Sequence, residues 1–236
     1  IEVNDLLVQS FLGRIQDPEK APNTNHHIID DSAYRIIMVV NINKKVLRTD
    51  TLDILQAAIR GYRKSIINNV SNHKGRVVKQ DANSLLISFI NVTNAVECAF
   101  KIQKLHNCVI TPDLEFKICI SSGFPVTERK TIFEDAIKAA NYLCYSMNGN
   151  VILSPEVKEE YESENQKNPV NITGVMSLTL VEKEFVIKLL EYTETVWHDS
   201  NTSALDFSEH LGFSKSKLYR TMISIIGKSP NHLLKD

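Results

Sequence analysis

A short run towards the C-terminal side of the sequence carries the densest group of side chains suited to chemistry. Arg and Lys side chains bind phosphates or base edges, and Ser and Tyr hydroxyls bind phosphates. If the run opens the second helix of a helix-turn-helix, these side chains are the candidates to contact DNA. For the two lysines alone, a solvated basic helix face is the alternative. The candidate residues are Ser214, Lys215, Ser216, Lys217, Tyr219 and Arg220.

The residues that usually bind metals or form disulfides are scattered along the chain. The seven histidines show no H-E-x-x-H or other ligand spacing, so we predict no metal site and no cofactor. No two cysteines form a C-x-x-C pair, and three of the four lie in apolar runs. This pattern predicts reduced core thiols in a cytoplasmic protein. The four are Cys98, Cys108, Cys119 and Cys144.

The composition allows one large domain or two modest ones, since 43% of the 236 residues are hydrophobic. The formal net charge of −1 argues against a chain that binds polyanions over its whole surface. From residue 203 onward, however, basic residues outnumber acidic ones. No apolar run has the length of a membrane span, and we expect no signal peptide. Because the sequence begins with Ile1 rather than Met, we expect it to be part of a longer gene product.

The elements that must position the candidate residues begin with "YRIIMVVNI" (34–42), which suits a buried strand. Amphipathic helices and further strands follow, including a hairpin with its tip at residues 82–84 and a last edge strand in "VNITGVMSL". The first six elements, in the order β-α-β-β-α-β, predict the split βαβ of a ferredoxin-like antiparallel sheet with helices on one face. An αβ unit extends this α+β fold. We place this domain at 34–176, after a lead-in or linker at 1–33.

Residues 177–236 are predicted to be a small all-α domain. Two short helices, capped by Ser203 and Ser214, flank a tight turn at "LGFS", which makes a helix-turn-helix candidate. Gly227 ends the second helix, and Pro230 begins another. The residues of the second helix expected to face the core are Leu218, Met222 and Ile225 or Ile226.

Residues 34 to about 160 resemble a class III nucleotidyl cyclase domain. The resemblance is carried by "KGRVVKQDANSLLISF", "AVECAFKIQKLH", "LEFKICISSGFPV" and "FEDAIKAANYLC", in that order. In such enzymes two aspartates hold two divalent ions on the triphosphate, and an Asn and an Arg on the third helix stabilise the transition state. The corresponding positions in this sequence are Asn41, Asn83, Lys138 and Tyr142.

All four positions lack the chemistry that the resemblance requires. Amides bring no negative charge to a site for two dications, and Mg²⁺ prefers carboxylates. Tyr142 has no guanidinium. We therefore expect a pseudoenzyme that keeps the scaffold, a homodimer interface and a groove for an unknown small effector. In the alternative of relocated ligands, Asp81 lies two residues from Asn83 and could recruit a metal.

The segment "ALDFSEHLGFSKSKLYRTMISIIGKSPNHLL" is similar to the first helix-turn-helix motif of AraC/XylS-family transcription regulators. Ser208 stands where that family usually packs Ala, and its buried hydroxyl can bond a backbone carbonyl. The second motif of the family is absent from the sequence, so we expect a fragment of a longer regulator that alone binds DNA weakly or not at all.

These observations together predict a bacterial, cytoplasmic transcription regulator. Its cyclase-like domain would dimerise and sense a ligand, and its helix-turn-helix would bind DNA. One alternative is an active class III cyclase with relocated metal ligands. The other is a module that binds a partner protein and no DNA.

Overall fold

The computed structural model describes residues 34–44, 52–109, 114–124, 133–147, 150–166, 175–199 and 201–233. The predicted lead-in, 1–33, lies outside these residues. None of the helices in the described ranges combines the length and apolar character that a bilayer crossing requires. In chain order the elements are β1 (Arg35–Lys44), α1 (Leu52–Asn72), β2 (Arg76–Gln80), β3 (Ser84–Phe89), α2 (Val92–Val109), β4 (Leu114–Gly123), α3 (Glu134–Ser146), β5 (Val151–Leu153), α4 (Pro155–Glu164), β6 (Val175–Ser177), α5 (Leu180–Val196), α6 (Ala204–His210), α7 (Lys215–Ile225) and α8 (Pro230–Leu233).

Six strands form one mixed sheet in the order β2-β3-β1-β4-β5-β6. The pairs β2–β3, β3–β1 and β1–β4 are antiparallel, and β5 and β6 add to the β4 edge in parallel. The predicted β-α-β-β-α-β order with an αβ extension is confirmed, and the last edge strand is β6. Strand β1 is central, which explains its uninterrupted apolar run.

The two helices of the β-α-β-β-α-β unit, α1 and α2, lie on one face of the sheet, as predicted, and the later helices α3 and α5 cover the other face. Met38 and Val40 of β1 share a core with α1, α2 and α4. Val39, which points to the opposite face, shares a second core with α3 and α5. Because successive β1 side chains alternate between faces and nearly all are apolar, each face must be covered by another apolar layer.

The second core continues from the sheet into the C-terminal helices. Helix α5 begins at a capping box formed by Thr179 and Glu182. Its buried Phe185 and Leu189 belong to the same apolar cluster as Phe207 of α6 and residues of α7 and α8. The predicted boundary at residue 176 falls inside β6. The predicted domains therefore share an apolar core through α5.

A disulfide joins the facing strand and helix of the second core. Cys119 on β4 and Cys144 on α3 have Cα atoms 5.5 Å apart, and both are buried. The prediction that these two thiols are reduced was wrong, because their separation of 25 residues concealed their adjacency. Cys98 is a free buried thiol, and burial raises its pKa to about 12. The side chain of Cys108 lies outside the described residues.

Reduction should lower the free energy of unfolding by about 3 kcal/mol, the loop-closure value for a loop of this length. Urea unfolding with and without a thiol reductant measures this difference. A Cys119→Ala/Cys144→Ala double variant should show no response to the reductant. Alkylation of both cysteines in unfolded, unreduced protein, detected by mass spectrometry, would contradict the bond.

Two glycines should respond in opposite ways to a methyl group. A Cβ on Gly75 would lie 2.6 Å from Cζ of the buried Phe89 ring, so Gly75→Ala should destabilise by about 1–3 kcal/mol. Gly61 lies inside α1 with open space around it, so Gly61→Ala should stabilise by about 0.5–1 kcal/mol. Thermal unfolding of both variants tests the pair, and an equal effect of the same sign would contradict the packing.

Candidate functional site

The two asparagines at the predicted metal positions are brought together at one end of β1 and β3. Asn41 lies opposite Ser84 in the antiparallel register. The backbone N–H of Ile42 donates to the carbonyl of Asn83 at 2.9 Å. Asn41 is half-buried and Asn83 is exposed. The fold thus places the two positions side by side, as the resemblance implies, but with amides in place of carboxylates.

A lysine that the sequence analysis missed lies beside this pair. Lys117 of β4 is directly opposite Asn41, so both side chains project from the same face of the sheet. The Lys117 side chain is only 15% exposed, and its ammonium lies 3.5 Å from a carboxylate oxygen of Glu115. The Glu115 carboxylate offsets this positive charge, so the ion pair adds no net negative charge that could attract divalent metal ions. The only sequence signal was a charged residue inside the apolar strand "LEFKICISSG".

Asp81, the candidate for a relocated metal ligand, makes its contacts within its own hairpin turn. The Asp81 carboxylate lies 3.1 Å from the Lys79 ammonium and accepts from the Ser84 hydroxyl at 3.4 Å. Its backbone N–H donates to the Ser84 carbonyl, and Arg63 donates to the Ala82 carbonyl across the same tip. Within the described ranges, no three His, Cys, Asp or Glu side chains form a group that could hold a metal ion. Asn41, Asn83 and Asp81 therefore offer no set of carboxylates that would hold two divalent ions.

The two positions on the third helix are bound to α5. Lys138 Nζ donates to a carboxylate oxygen of Glu191 at 2.9 Å and lies 5.4 Å from the centroid of the Tyr142 ring. Tyr142 is buried; burial raises the pKa of its phenol to about 12, and the nearby Glu194 carboxylate acts in the same direction. The hydrogen bond to Glu191 raises the pKa of Lys138 and keeps it charged. The four cyclase positions therefore form two pairs, each held by its own contacts.

A second ion pair ties α5 to α4. Lys183 Nζ lies 2.6 Å from a carboxylate oxygen of Glu156, and the lysine side chain is largely buried. Burial alone would raise the pKa of Glu156, but its hydrogen bonds, first among them that from Lys183, outweigh this effect and the pKa is lowered. Two ion pairs, one to α3 and one to α4, thus hold α5 to the sheet domain, in addition to the contacts of its apolar face.

Replacement of Lys183 by Met should lower the free energy of unfolding by about 1 kcal/mol at neutral pH. This value is smaller than that for a buried ion pair because Glu156 is partly solvated. A carboxyl whose pKa is lower in the folded than in the unfolded state stabilises the fold at pH values above its unfolded pKa of about 4.3. This contribution is lost as the pH falls through the folded-state pKa. The difference between variant and wild type should therefore shrink below about pH 4.

Urea unfolding of the variant and the wild type, at neutral pH and below about pH 4, measures this dependence. The matched control is Lys188→Met, because Lys188 is exposed and only 4.0 Å from Glu184 on the same helix. A pH-independent loss, or an equal loss in the control, would contradict the proposed role of the Glu156–Lys183 pair.

The C-terminal two-helix unit (α6, residues 211–214 and α7) is set by local capping and turn residues. The hydroxyl of Ser203 caps α6, and Asp206 completes a capping box that lowers its own pKa through bonds from Ser203. The hydroxyl of Ser214 accepts from the Lys217 N–H at 3.3 Å, which confirms Ser214 as a cap. Gly212 adopts a φ of 67° in the turn, a conformation that suits glycine.

The packing of this unit confirms the predicted core residues. Leu218, Met222 and both isoleucines, Ile225 and Ile226, are buried. Ser208 is also buried, and its hydroxyl donates to the Leu205 carbonyl at 2.8 Å, as predicted from the sequence. A hydroxyl satisfied in this way replaces a small apolar residue without leaving an unpaired polar group.

The opposite face of α7 presents the predicted binding residues to solvent. Lys217 extends over the Phe213 ring, with Nζ 4.4 Å from the centroid. Arg220 Nε donates to the Ser216 carbonyl at 3.3 Å. All six residues of the candidate set are exposed, namely Ser214, Lys215, Ser216, Lys217, Tyr219 and Arg220. The structure thus leaves these cations and hydroxyls accessible on and beside the solvent side of α7.

Several solved structures resemble part of the chain. An adenylate/guanylate cyclase/hydrolase from Silicibacter pomeroyi is 22% identical, over 58% of this chain and 83% of its own, with a TM-score of 0.45. The adenylyl cyclase CyaB from P. aeruginosa is 16% identical, over 57% and 81%, with a TM-score of 0.45. A bacterial light-regulated adenylyl cyclase is 18% identical, over 54% and 44%, with a TM-score of 0.43.

No protein-family model and no curated protein sequence matches the chain. The structural similarities concern proteins described as cyclases and carry no conclusion about the activity of this one.

Proposed function

We propose that this protein is a DNA-binding transcription regulator in which a catalytically inactive cyclase-like domain supports a helix-turn-helix unit. The observation that carries the proposal is the division of α7 into two faces. Leu218, Met222 and Ile225 are buried in the shared core, while Lys215, Lys217 and Arg220 are exposed. Helix α7 contains no acidic residue, so its exposed face suits the phosphates and base edges of a major groove.

The sheet domain supplies the rigid base for this unit. Helix α5 packs its apolar face on α3, and the Lys138–Glu191 and Lys183–Glu156 pairs hold it in place. We propose that two copies pair through the cyclase-like domain, because one helix-turn-helix unit alone contacts too few base pairs for useful affinity. Pairing through the Lys138–Tyr142 face of α3 would first require α5 to move.

The polar end of β1 and β3 is the proposed effector site. Asn41 and Asn83 offer amide donors and acceptors, and Lys117 adds a partly buried cation. Such a site suits binding without turnover. The chain is proposed to be cytoplasmic, although its disulfide is a feature more common outside reducing compartments.

Binding of the full-length protein to duplex DNA from its own upstream region should fall steeply with salt. Each phosphate that a variant no longer neutralises should reduce the slope of log K against log [salt] by about 0.9, so Lys215→Ala/Lys217→Ala should reduce it by about 2. Fluorescence anisotropy over a salt series measures both slopes. The control, Lys188→Ala on α5, removes an exposed lysine outside α7 and should leave the slope unchanged.

Absent or salt-insensitive binding would refute the proposal. It would favour the alternative in which the C-terminal helices bind a partner protein.

The proposal and the alternative of an active cyclase make opposite predictions about the formation of cyclic nucleotide. Because Asn41 and Asn83 supply no negative charge, the wild-type protein should form no cyclic nucleotide from ATP or GTP with Mn²⁺. Calorimetry should likewise detect no Mn²⁺-dependent uptake of ATP. An Asn41→Asp/Asn83→Asp variant is the matched comparison and should bind Mn²⁺ more tightly than the wild type. Cyclic nucleotide from the wild-type protein would establish the alternative.

A further inference from the structure

The exposed face of α7 carries two large side chains that phosphate binding does not explain. Tyr219 is 53% exposed and Ile223 is 42% exposed. Residues 216, 219, 220 and 223 follow helical i, i+3/i+4, i+7 spacing, so these side chains form one stripe with Ser216 and Arg220. An apolar residue within a cationic stripe gains nothing from phosphate contact. It is suited to an apolar feature on a surface that the stripe covers.

The backbone at Ile223 is anchored by its neighbours. The adjacent Met222 and the nearby Ile225 and Ile226 are buried in the core, so the backbone of this turn is anchored. An isoleucine in a helix has one strongly preferred χ1 rotamer. A contact made by this side chain would therefore cost little conformational entropy. This is the property expected of a residue that recognises a shape rather than one that only tolerates solvent.

The partner must combine negative charge with an exposed apolar group. The cations of α7 are exposed on the same helix as Ile223, and the helix has no acidic residue. The major groove of DNA meets both conditions, because the C5-methyl of thymine projects into it between phosphate-lined walls. From Ser216 to Ile223 the helix rises about 10 Å, which is about three base-pair steps. The stripe is thus long enough to contact neighbouring base pairs in one groove.

We infer that Ile223, supported by Tyr219, contacts thymine methyl groups and so contributes to sequence discrimination. This inference rests on the proposed DNA-binding function. The cations supply affinity that depends on salt and little on sequence, whereas the apolar contact depends on the methyl group and not on salt. The two contributions can therefore be measured separately.

The test begins with duplexes that the full-length protein selects from a random-sequence pool. Each thymine of the selected site is replaced in turn by deoxyuridine, which removes the methyl group and keeps the hydrogen-bonding edge. At one or two positions this change should weaken wild-type binding about fourfold, the factor for one buried CH₂-sized group. The Ile223→Ala variant should bind the thymine site about as weakly and should not respond to deoxyuridine at those positions.

Two controls separate this contact from folding and from charge. Ile223→Val keeps a β-branched side chain and should retain the response to deoxyuridine. Lys215→Ala should reduce the salt slope and leave the response unchanged. Because the deoxyuridine measurement uses wild-type protein, it does not depend on the folding of any variant.

The outcomes distinguish the inference from the function on which it rests. Salt-dependent binding with no response to deoxyuridine at any position would overturn the inference and leave the proposed function intact. Absence of salt-dependent binding would overturn both. A change of oligomeric state in Ile223→Ala, with its response to deoxyuridine retained, would assign this face to a protein partner and overturn the inference.

Discussion

The structure depends on the burial of both faces of its central strand. Strand β1 places Met38 and Val40 on one side and Val39 on the other, and all three are buried. The first side is closed by α1, α2 and α4. The second side is closed by α3 together with α5. Because α5 also carries the C-terminal helices, the requirement to cover the second face fixes where the two-helix unit attaches.

The fold of the sheet and the chemistry of its polar end depend on different residues. The strand ends that bring Asn41 beside Asn83 are set by backbone pairing and apolar side chains, not by the identity of these residues. Amide side chains bring no negative charge that would attract divalent ions, and Lys117 lies opposite Asn41. On α3, Lys138 has a structural contact, since it pairs with Glu191 of α5.

The residues that α7 exposes to solvent follow from the residues that it buries. Leu218, Met222 and Ile225 must face α5 and its neighbours, so helical periodicity directs the cations and Tyr219 outward. Capping by Ser214 and the left-handed Gly212 fix the start of the helix. The proposed binding face therefore needs little ordering before it meets a partner, which lowers the entropic cost of association.

The sequence by itself determined the elements whose signals are local. Strand β1, the hairpin tip at Asn83, the caps at Ser203 and Ser214, and the buried side of α7 all follow from periodicity or from residues within a few positions of one another. These signals were sufficient to predict which residues of α7 are buried and which cations it exposes.

Only the tertiary structure decided which elements face one another. The Cys119–Cys144 bond, the Lys138–Glu191 pair and the position of Lys117 beside Asn41 join residues from different elements. Side-chain alternation shows that β1 is apolar on both sides but does not say which helix covers each side. That choice follows from long-range packing, in which α5 completes the second face and carries the two-helix unit with it.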